Sequence, residues 1–433
     1  MVRWRIAVLI SVAIAISYLD RSTLPVAIKA IGADIPISNE IKALLDTAFL
    51  ASYGLMYLGG GWLLDRLGTR LGYFLVMVFW SLACASHGLA TGVAMLATSR
   101  LLLGLGEGGG FPAATRAVTE WFPARERATA MGIINAGTAV GSVVAGPLIL
   151  RVVLPHVSWF GITPWRWVFF LTGGLGLLWT LWWIADYFPP ERHPGLSDAE
   201  RLILPPLPDA KDRQRSQGII PLRQLLQYRE TWGIVLAKFL TDAAWYFYIF
   251  WLPKYLFDAR HYDYRSAGNV VWVPPAASGL GALVGGAFSS WLLRRGGSVN
   301  FSRKTALAAS AALMPFVMFV PFVSVPWAIA IFSLAYFGQQ SWSTLVMILP
   351  TDLFPKQVVG TVAGLVGLGG AMGGVVLGTL AGYLLDHGHS YVPVLVIAGS
   401  LHVAAMLIIL VFVPAIRPLI SPRGASGLEV SVR

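Results

Sequence analysis

The sequence predicts an all-α polytopic membrane protein of about twelve transmembrane helices in two similar halves. Composition, recurrent apolar runs and an internal repeat predict it. Of 433 residues, 56% are hydrophobic and only 12% are charged, where a soluble protein carries about 25% charged residues. Apolar runs recur along the whole chain, for example at 6–19, 73–90, 167–184, 306–325 and 392–413. Each is near or extendable to the roughly 20 residues that cross a bilayer as a helix. The repeat appears at an offset of 232 positions, where Glu120-Trp-Phe122-Pro123 falls on Asp352-Leu-Phe354-Pro355. Behind it, Gly132, Gly137, Gly141 and Gly146 fall on Gly364, Gly369, Gly373 and Gly378.

In chain order, helices are expected at 5–33, 43–64, 73–92, 94–120, 127–150 and 166–188, and again at 231–257, 266–293, 302–324, 326–350, 357–383 and 391–414. Between the sets lies the only long polar stretch, 189–230, which reads as a linker. The expected division is a first six-helix bundle at 1–188, a cytoplasmic linker at 189–230, and a second six-helix bundle with a tail at 231–433. Basic residues concentrate in loops on one side, among them Arg3, Arg5, Arg66, Arg70, Arg125, Arg127, Arg294, Arg295, Arg303, Lys304 and Lys356. The other side is sparser, with Lys42, Arg151, Arg166, Lys254, Arg260 and Arg265. Positive charge marks the cytoplasmic side, so both termini and the linker are expected there. The first apolar run continues into Asp20-Arg21 without a cleavage site, which argues against a signal peptide.

The net charge of +11 reports membrane orientation rather than nucleic-acid binding, because the cations sit in short loops between apolar runs. One cysteine, Cys84, excludes an intrachain disulfide and a cysteine-based zinc site. Gly104–Gly110 follows a helical run rather than a strand and is not a phosphate loop. His387, His389 and His402 lack metal-ligand spacing on one face and read as loop or packing histidines, and Arg116 as favouring the end of its helix. The sequon at Asn300 is expected on the cytoplasmic side. No nucleophile, metal or cofactor constellation points to an enzyme. A membrane sensor or channel is the remote alternative; a sensor would carry a signalling domain, and the linker is too short and polar for one.

Gly61-Trp-Leu-Leu-Asp65-Arg66-Leu-Gly68-Thr-Arg70 resembles the loop motif Gly-x-x-x-Asp-Arg-x-Gly-x-Arg of the major facilitator superfamily at each fixed position. The layout resembles that family along nearly the whole chain. A carboxylate at Asp65 would face the positive end of a neighbouring helix and latch one side. In the second half Arg294 stands at the acidic position, which puts an equivalent latch in doubt.

Charges inside the predicted spans are the most informative residues, because a charge near the bilayer centre costs several kcal/mol and faces a cavity or a partner. Asp20 and Arg21 interrupt the first helix, and Arg100 and Glu107 lie two turns apart on the fourth. Internal salt bridges, Arg21 with Glu107 and Asp20 with Arg100, are the packing alternative. Tyr18-Leu-Asp20-Arg21, Tyr53, and Ser99-Arg100-Leu-Leu-Leu-Gly104-Leu-Gly-Glu107-Gly-Gly-Gly-Phe-Pro112 resemble the anion:cation symporter branch, which takes up organic anions including sugar acids. The resemblance implies Arg21 and Arg100 for the substrate carboxylate, Tyr53 for a polar contact, and Asp20 and Glu107 as proton sites. These residue types suit the work: arginine is a planar fork that stays charged, whereas a carboxyl can take up and release a proton.

The seventh helix, from Ala237 to Tyr255, resembles the hexuronate carriers of this branch, where galactonate-type carriers tend to have glutamine near Lys238. Lys238 and Asp242 are one turn apart and suited to pair. With Trp245 and Tyr246 they offer donors, an acceptor and a flat ring to a hydroxylated acid, with an internal ion pair as the structural alternative. Gln339 and Gln340, in the polar run to Thr344, are candidates for sugar hydroxyls or for helix packing. The implied function is proton-coupled symport of an organic anion by alternating access, with a hexuronate such as glucuronate or galacturonate as cargo. Another carboxylate, an aldonate or an aromatic or other monocarboxylic acid, is the alternative. The expected setting is the bacterial inner membrane, with a functional monomer and neither cofactor nor nucleic acid.

Overall fold

The computed structural model describes residues 1–123, 126–204, 222–355 and 358–419, without the side chains at 58, 61, 62, 65, 128, 198 and 199. Among the described residues the chain is helical throughout and has no strand. α1 spans Val2–Asp34, and α2, Asn39–Ser86, is a single run bent at Gly68. There φ is +75°, a conformation that a residue with a Cβ rarely adopts. The second and third expected spans are therefore two arms of one element.

The fourth span is divided. α3, Val93–Glu107, ends at Gly108–Gly109, and α4, Gly110–Trp121, continues beyond. Glycine suits this break because α2 lies against it: a Cβ on Gly106 would collide with Trp80, and one on Gly108 with Met56 and the Tyr53 carbonyl. α5 (Arg127–Pro147) passes into a π-helical turn, Leu148–Val153, and α6 spans Pro164–Asp186.

The second set comprises α7 (Arg229–Asp258), α8 (Tyr264–Val270), α9 (Val273–Arg294), α10 (Val299–Ala312), α11 (Val325–Val346), α12 (Val359–Asp386) and α13 (Val392–Phe412). Beyond α10 the expected ninth helix narrows into a 3-10 segment, Met314–Phe322, that contains Pro315 and Pro321. Each proline lacks the N–H that an α-helix needs.

Among the described residues, nine helical runs are long and apolar enough to cross a bilayer. The other expected spans coincide with the first arm of α2, with α3 and α4 together, and with α11, which carries the polar run from Gln339. Large apolar side chains face outward, Leu283 at 71% exposure and Leu407 at 58%, while Lys42, Asp20 and Arg100 are fully buried. That inversion is what a hydrocarbon solvent selects.

The repeat is visible in the packing. Cβ atoms on Gly137 and Gly141 of α5 would collide with the Ser11 and Ala15 carbonyls of α1. Their repeat partners in α12, Gly369 and Gly373, lie in the same way against the Val235 and Phe239 carbonyls of α7. Glycine lets these backbones approach closely, the means by which helices associate where lipid removes the hydrophobic drive.

α12 also packs along α2. The Asp386 carboxylate accepts from the Asn39 and Glu40 backbone N–H groups (2.9 and 2.7 Å) and from Asn39 Nδ2 (2.8 Å), so the end of α12 caps the start of α2. Further along, Gly382 abuts Ala43, Gly54 abuts Ala371, and Gly367 abuts the Tyr57 ring.

Candidate functional site

Arg21, Asp46, Arg100 and Glu107, from the first three helices, lie in one buried region around Phe49. Arg21 Nε and Nη2 donate to Glu107 Oε2 at 3.2 and 3.0 Å, and Ser17 Oγ donates to the same oxygen at 3.0 Å. The Arg21 guanidinium lies 4.6 Å from the ring centroids of both Tyr18 and Tyr53 and 5.3 Å from that of Phe49. Cation–π contact of this kind steadies a desolvated cation without neutralising it. Glu107 Oε1 has no hydrogen-bond partner.

The second pair of the packing alternative, Asp20 with Arg100, does not form. Arg100 donates instead from Nη2 to Asp46 Oδ1 at 3.5 Å, and its Nε and Nη1 have no partner. Asp20 stands beside Cys84 and Thr172, whose Sγ and Oγ1 lie 3.3 Å apart, and neither of its own oxygens is hydrogen-bonded. Adjacent helix positions diverge by about 100°, so Asp20 and Arg21 reach different neighbours.

Asp46 was not anticipated, and Lys42 was expected in a loop. Because α2 begins at Asn39, both lie inside the helix and are buried, with Lys42 Nζ donating to Asp46 Oδ2 at 2.6 Å. Lys42 Nζ also sits 4.1 Å from the Trp251 ring centroid on α7. The i,i+4 Lys–Asp spacing at the head of an apolar run is the signal that exposes them.

In the second half, Lys238 Nζ pairs with Asp242 Oδ1 at 2.9 Å and donates to Ser343 Oγ at 2.7 Å. Gln339 Nε2 donates to Asp242 Oδ1 at 3.1 Å, and Gln339 Oε1 meets His402 Nε2. This polar chain joins α7, α11 and α13. His402, expected as packing, is part of it.

Gln340 is half-buried, with its carbonyl accepting from Thr344 Oγ1 at 2.9 Å. Trp245 stands edge-on to Tyr336 with centroids 5.1 Å apart. Tyr246 packs against Phe250, whose centroid lies 5.8 Å from the Arg100 guanidinium carbon. Tyr246 also lies within electrostatic reach of Asp242, Arg21, Tyr53 and Tyr18, so the polar chain borders the Arg21 region.

Of the loop motif, Gly68 forms the bend in α2. Arg66 is exposed, and Arg70 Nη2 donates to the Ile184 carbonyl at 2.8 Å. Gly61 and the Asp65 side chain lie outside the described residues, as do Arg125 and Lys356. At the repeat positions, Glu120 accepts from Thr69, Arg116 and Tyr187, while Asp352 accepts from Arg303 at 2.9 Å. Arg116 therefore bonds a carboxylate one turn away. No group of His, Cys, Asp and Glu suited to a metal ion occurs among the described residues.

Comparison with known proteins agrees with this architecture. The family model described as Major Facilitator Superfamily matches residues 10–378. A D-galactonate transporter of Escherichia coli O6:H1 is 31% identical over 91% of this chain and 91% of its own length. A hexuronate transporter of Escherichia coli K12 is 29% identical over 89% of this chain and 88% of its own. The xylose transporter of E. coli in an inward open conformation superposes with a TM-score of 0.73 at 14% identity, covering 95% of this chain and 96% of that one. The chain is a transporter rather than an enzyme, and it belongs to the Major Facilitator Superfamily.

Proposed function

We propose that this protein is a secondary active symporter that carries an organic anion with protons, and that the anion is a sugar acid, a hexuronate such as glucuronate or galacturonate. One observation carries the reading: Arg100 is fully buried, yet its Nε and Nη1 have no partner. An unsatisfied buried charged donor costs more than the roughly 1–3 kcal/mol of a neutral one, and a carboxylate arriving at the guanidinium edge would relieve it.

Arg21 is the second arm of the site. It is neutralised by Glu107, so a proton on Glu107 removes the counter-charge and frees the Arg21 fork for the substrate. Asp20, buried with no cation beside it among the described residues, suits a second proton site, because an ionised carboxylate is costly to bury unpaired. Tyr53 stacks beneath the cation. Lys238, Asp242, Gln339 and Gln340 with Trp245 and Tyr246 read the hydroxylated remainder of the molecule.

The two bundles are 1–188 and 231–433, joined by the linker, in a bacterial inner membrane with both termini cytoplasmic. The Asn39–Asp386 end then faces outward and is closed in this state. Asp65, Arg66 and Arg70 latch the opposite face in the alternate state.

The relatives are variously named for D-galactonate, galactarate/D-glucarate, hexuronate, galacturonate and sulfoacetate, so another carboxylate, first of all an aldonate, is the second reading. Purified protein in liposomes, assayed by counterflow with labelled glucuronate, galacturonate, galactonate and lactate, separates the two. Hexuronates should exchange fastest, and accumulation should require an inward proton gradient and ignore sodium. Uptake of none of the sugar acids would refute the substrate reading.

A further inference from the structure

We propose that Lys42 and Asp46 set the availability of Arg100 to an incoming carboxylate, with Lys42 holding the Asp46 carboxylate away from the guanidinium. The inference rests on the reading of Arg100 as an anion-binding residue. Asp46 divides its two oxygens unequally, giving Oδ2 to Lys42 at 2.6 Å and only a 3.5 Å contact from Oδ1 to Arg100. A charge-assisted contact to a carboxylate spans about 2.7–2.9 Å and is often bidentate for arginine, so the Asp46 contact is long and the Arg100 Nε and Nη1 donors are open. Lys42 Nζ also makes a cation–π contact with the Trp251 ring of α7, 4.1 Å from its centroid.

Charge explains why the arrangement favours a ligand. All three side chains are nearly inaccessible to solvent. Ionised, they hold two cations and one anion, and the excess positive charge matches one added carboxylate. Without Lys42, Asp46 and Arg100 form a neutral pair, and the Asp46 carboxylate closes onto the fork that the substrate needs. Lys42 is therefore a positioning residue that acts through Asp46.

The test is calorimetric titration of the purified full-length protein with D-galacturonate and, separately, D-galactonate. Lys42→Gln should weaken binding by at least about tenfold, as expected when one partner of a buried charge pair is truncated. The double variant Lys42→Gln with Asp46→Asn restores the excess charge and removes the competitor, so its affinity should return to within about threefold of wild type, a strongly non-additive result. Asp46→Asn alone should bind at least as tightly as wild type.

A packing role for Lys42 makes the opposite forecast, since a double variant that removes both partners would bind no better than the single. That outcome overturns the proposal. So does wild-type affinity in a folded Lys42→Gln protein, or a tenfold loss in folded Asp46→Asn. If the wild-type protein binds neither acid, the substrate reading falls and this inference with it. Wild-type binding with no rescue in the double variant removes the inference alone.

Discussion

The buried charged groups of the two halves differ in how completely their partners satisfy them. Around α1 to α3, both oxygens of Asp20, one oxygen of Glu107 and two nitrogens of Arg100 are left without partners. Around α7, α11 and α13, Lys238, Asp242, Gln339, Ser343 and His402 close into a chain with one open atom, His402 Nδ1. A satisfied buried network is rigid and costs little, whereas an unsatisfied charge is expensive and persists only where something else completes it. The first half is thus suited to species that come and go, a carboxylate and protons. The second is suited to reading shape by hydrogen bonds that a cargo borrows from an existing chain.

Removing the guanidinium fork tests this contrast most severely. Arg100→Lys keeps a charge but loses the bidentate edge, and sugar-acid affinity should fall by about a hundredfold, in line with losses at buried charge pairs. Arg21→Ala should be comparable. Titration of each folded variant decides it, and wild-type affinity in either would make the open half structural.

The acids should produce a more selective defect. Glu107→Gln and Asp20→Asn cannot cycle a proton, so accumulation against a gradient should fall to near background while counterflow continues at a measurable rate. Liposome uptake with and without a proton gradient separates the two activities. Equal accumulation by both variants and wild type would transfer proton coupling elsewhere.

In the satisfied half a smaller effect is expected. Lys238→Gln breaks the chain at its charged end, and a site built to hydrogen-bond hydroxyls discriminates through the groups it leaves unpaired. Hexuronate affinity should drop by about tenfold, roughly the worth of one such contact, with galactonate rising in the competition order. An unchanged order would remove α7 from specificity.

Outside both regions the smallest effect is expected. Glu200 accepts from the Val2 and Arg3 backbone N–H groups and pairs with Arg3 at 3.2 Å. Burial opposes its charge, but these donors and the Arg3 cation outweigh burial and hold its carboxyl below the usual value. A lowered folded-state value stabilises the fold above the unfolded-state value and is lost as pH falls through the lowered one. Thermal unfolding should therefore drop slightly on acidification, and the drop should shrink in Glu200→Gln, while transport at neutral pH stays at wild-type level.

The helical layout and much of the first-half site were legible in the sequence because a charge in an apolar run is improbable without a function. Asp20, Arg21, Arg100 and Glu107 stand out on that ground alone. The repeat glycines were equally visible, and their role in close backbone approach follows from having no Cβ. Lys42 and Asp46 were hidden by their position: within one or two turns of a helix start, a Lys reads as a loop cation. His402 was hidden because one imidazole in an apolar helix has no local signature.

What residue patterns determined by themselves, then, was where the apolar spans run and that Asp20, Arg21, Arg100 and Glu107 must be buried, since both follow from the cost of polar groups in hydrocarbon. Only the tertiary structure decided who meets whom. Arg100 meets Asp46, 54 positions away, rather than Asp20, and Asp242 receives Gln339 from 97 positions away. Such partnerships depend on helix rotation and depth, which glycine contacts such as Gly141 on Ala15 and Gly373 on Phe239 set between elements distant in the chain.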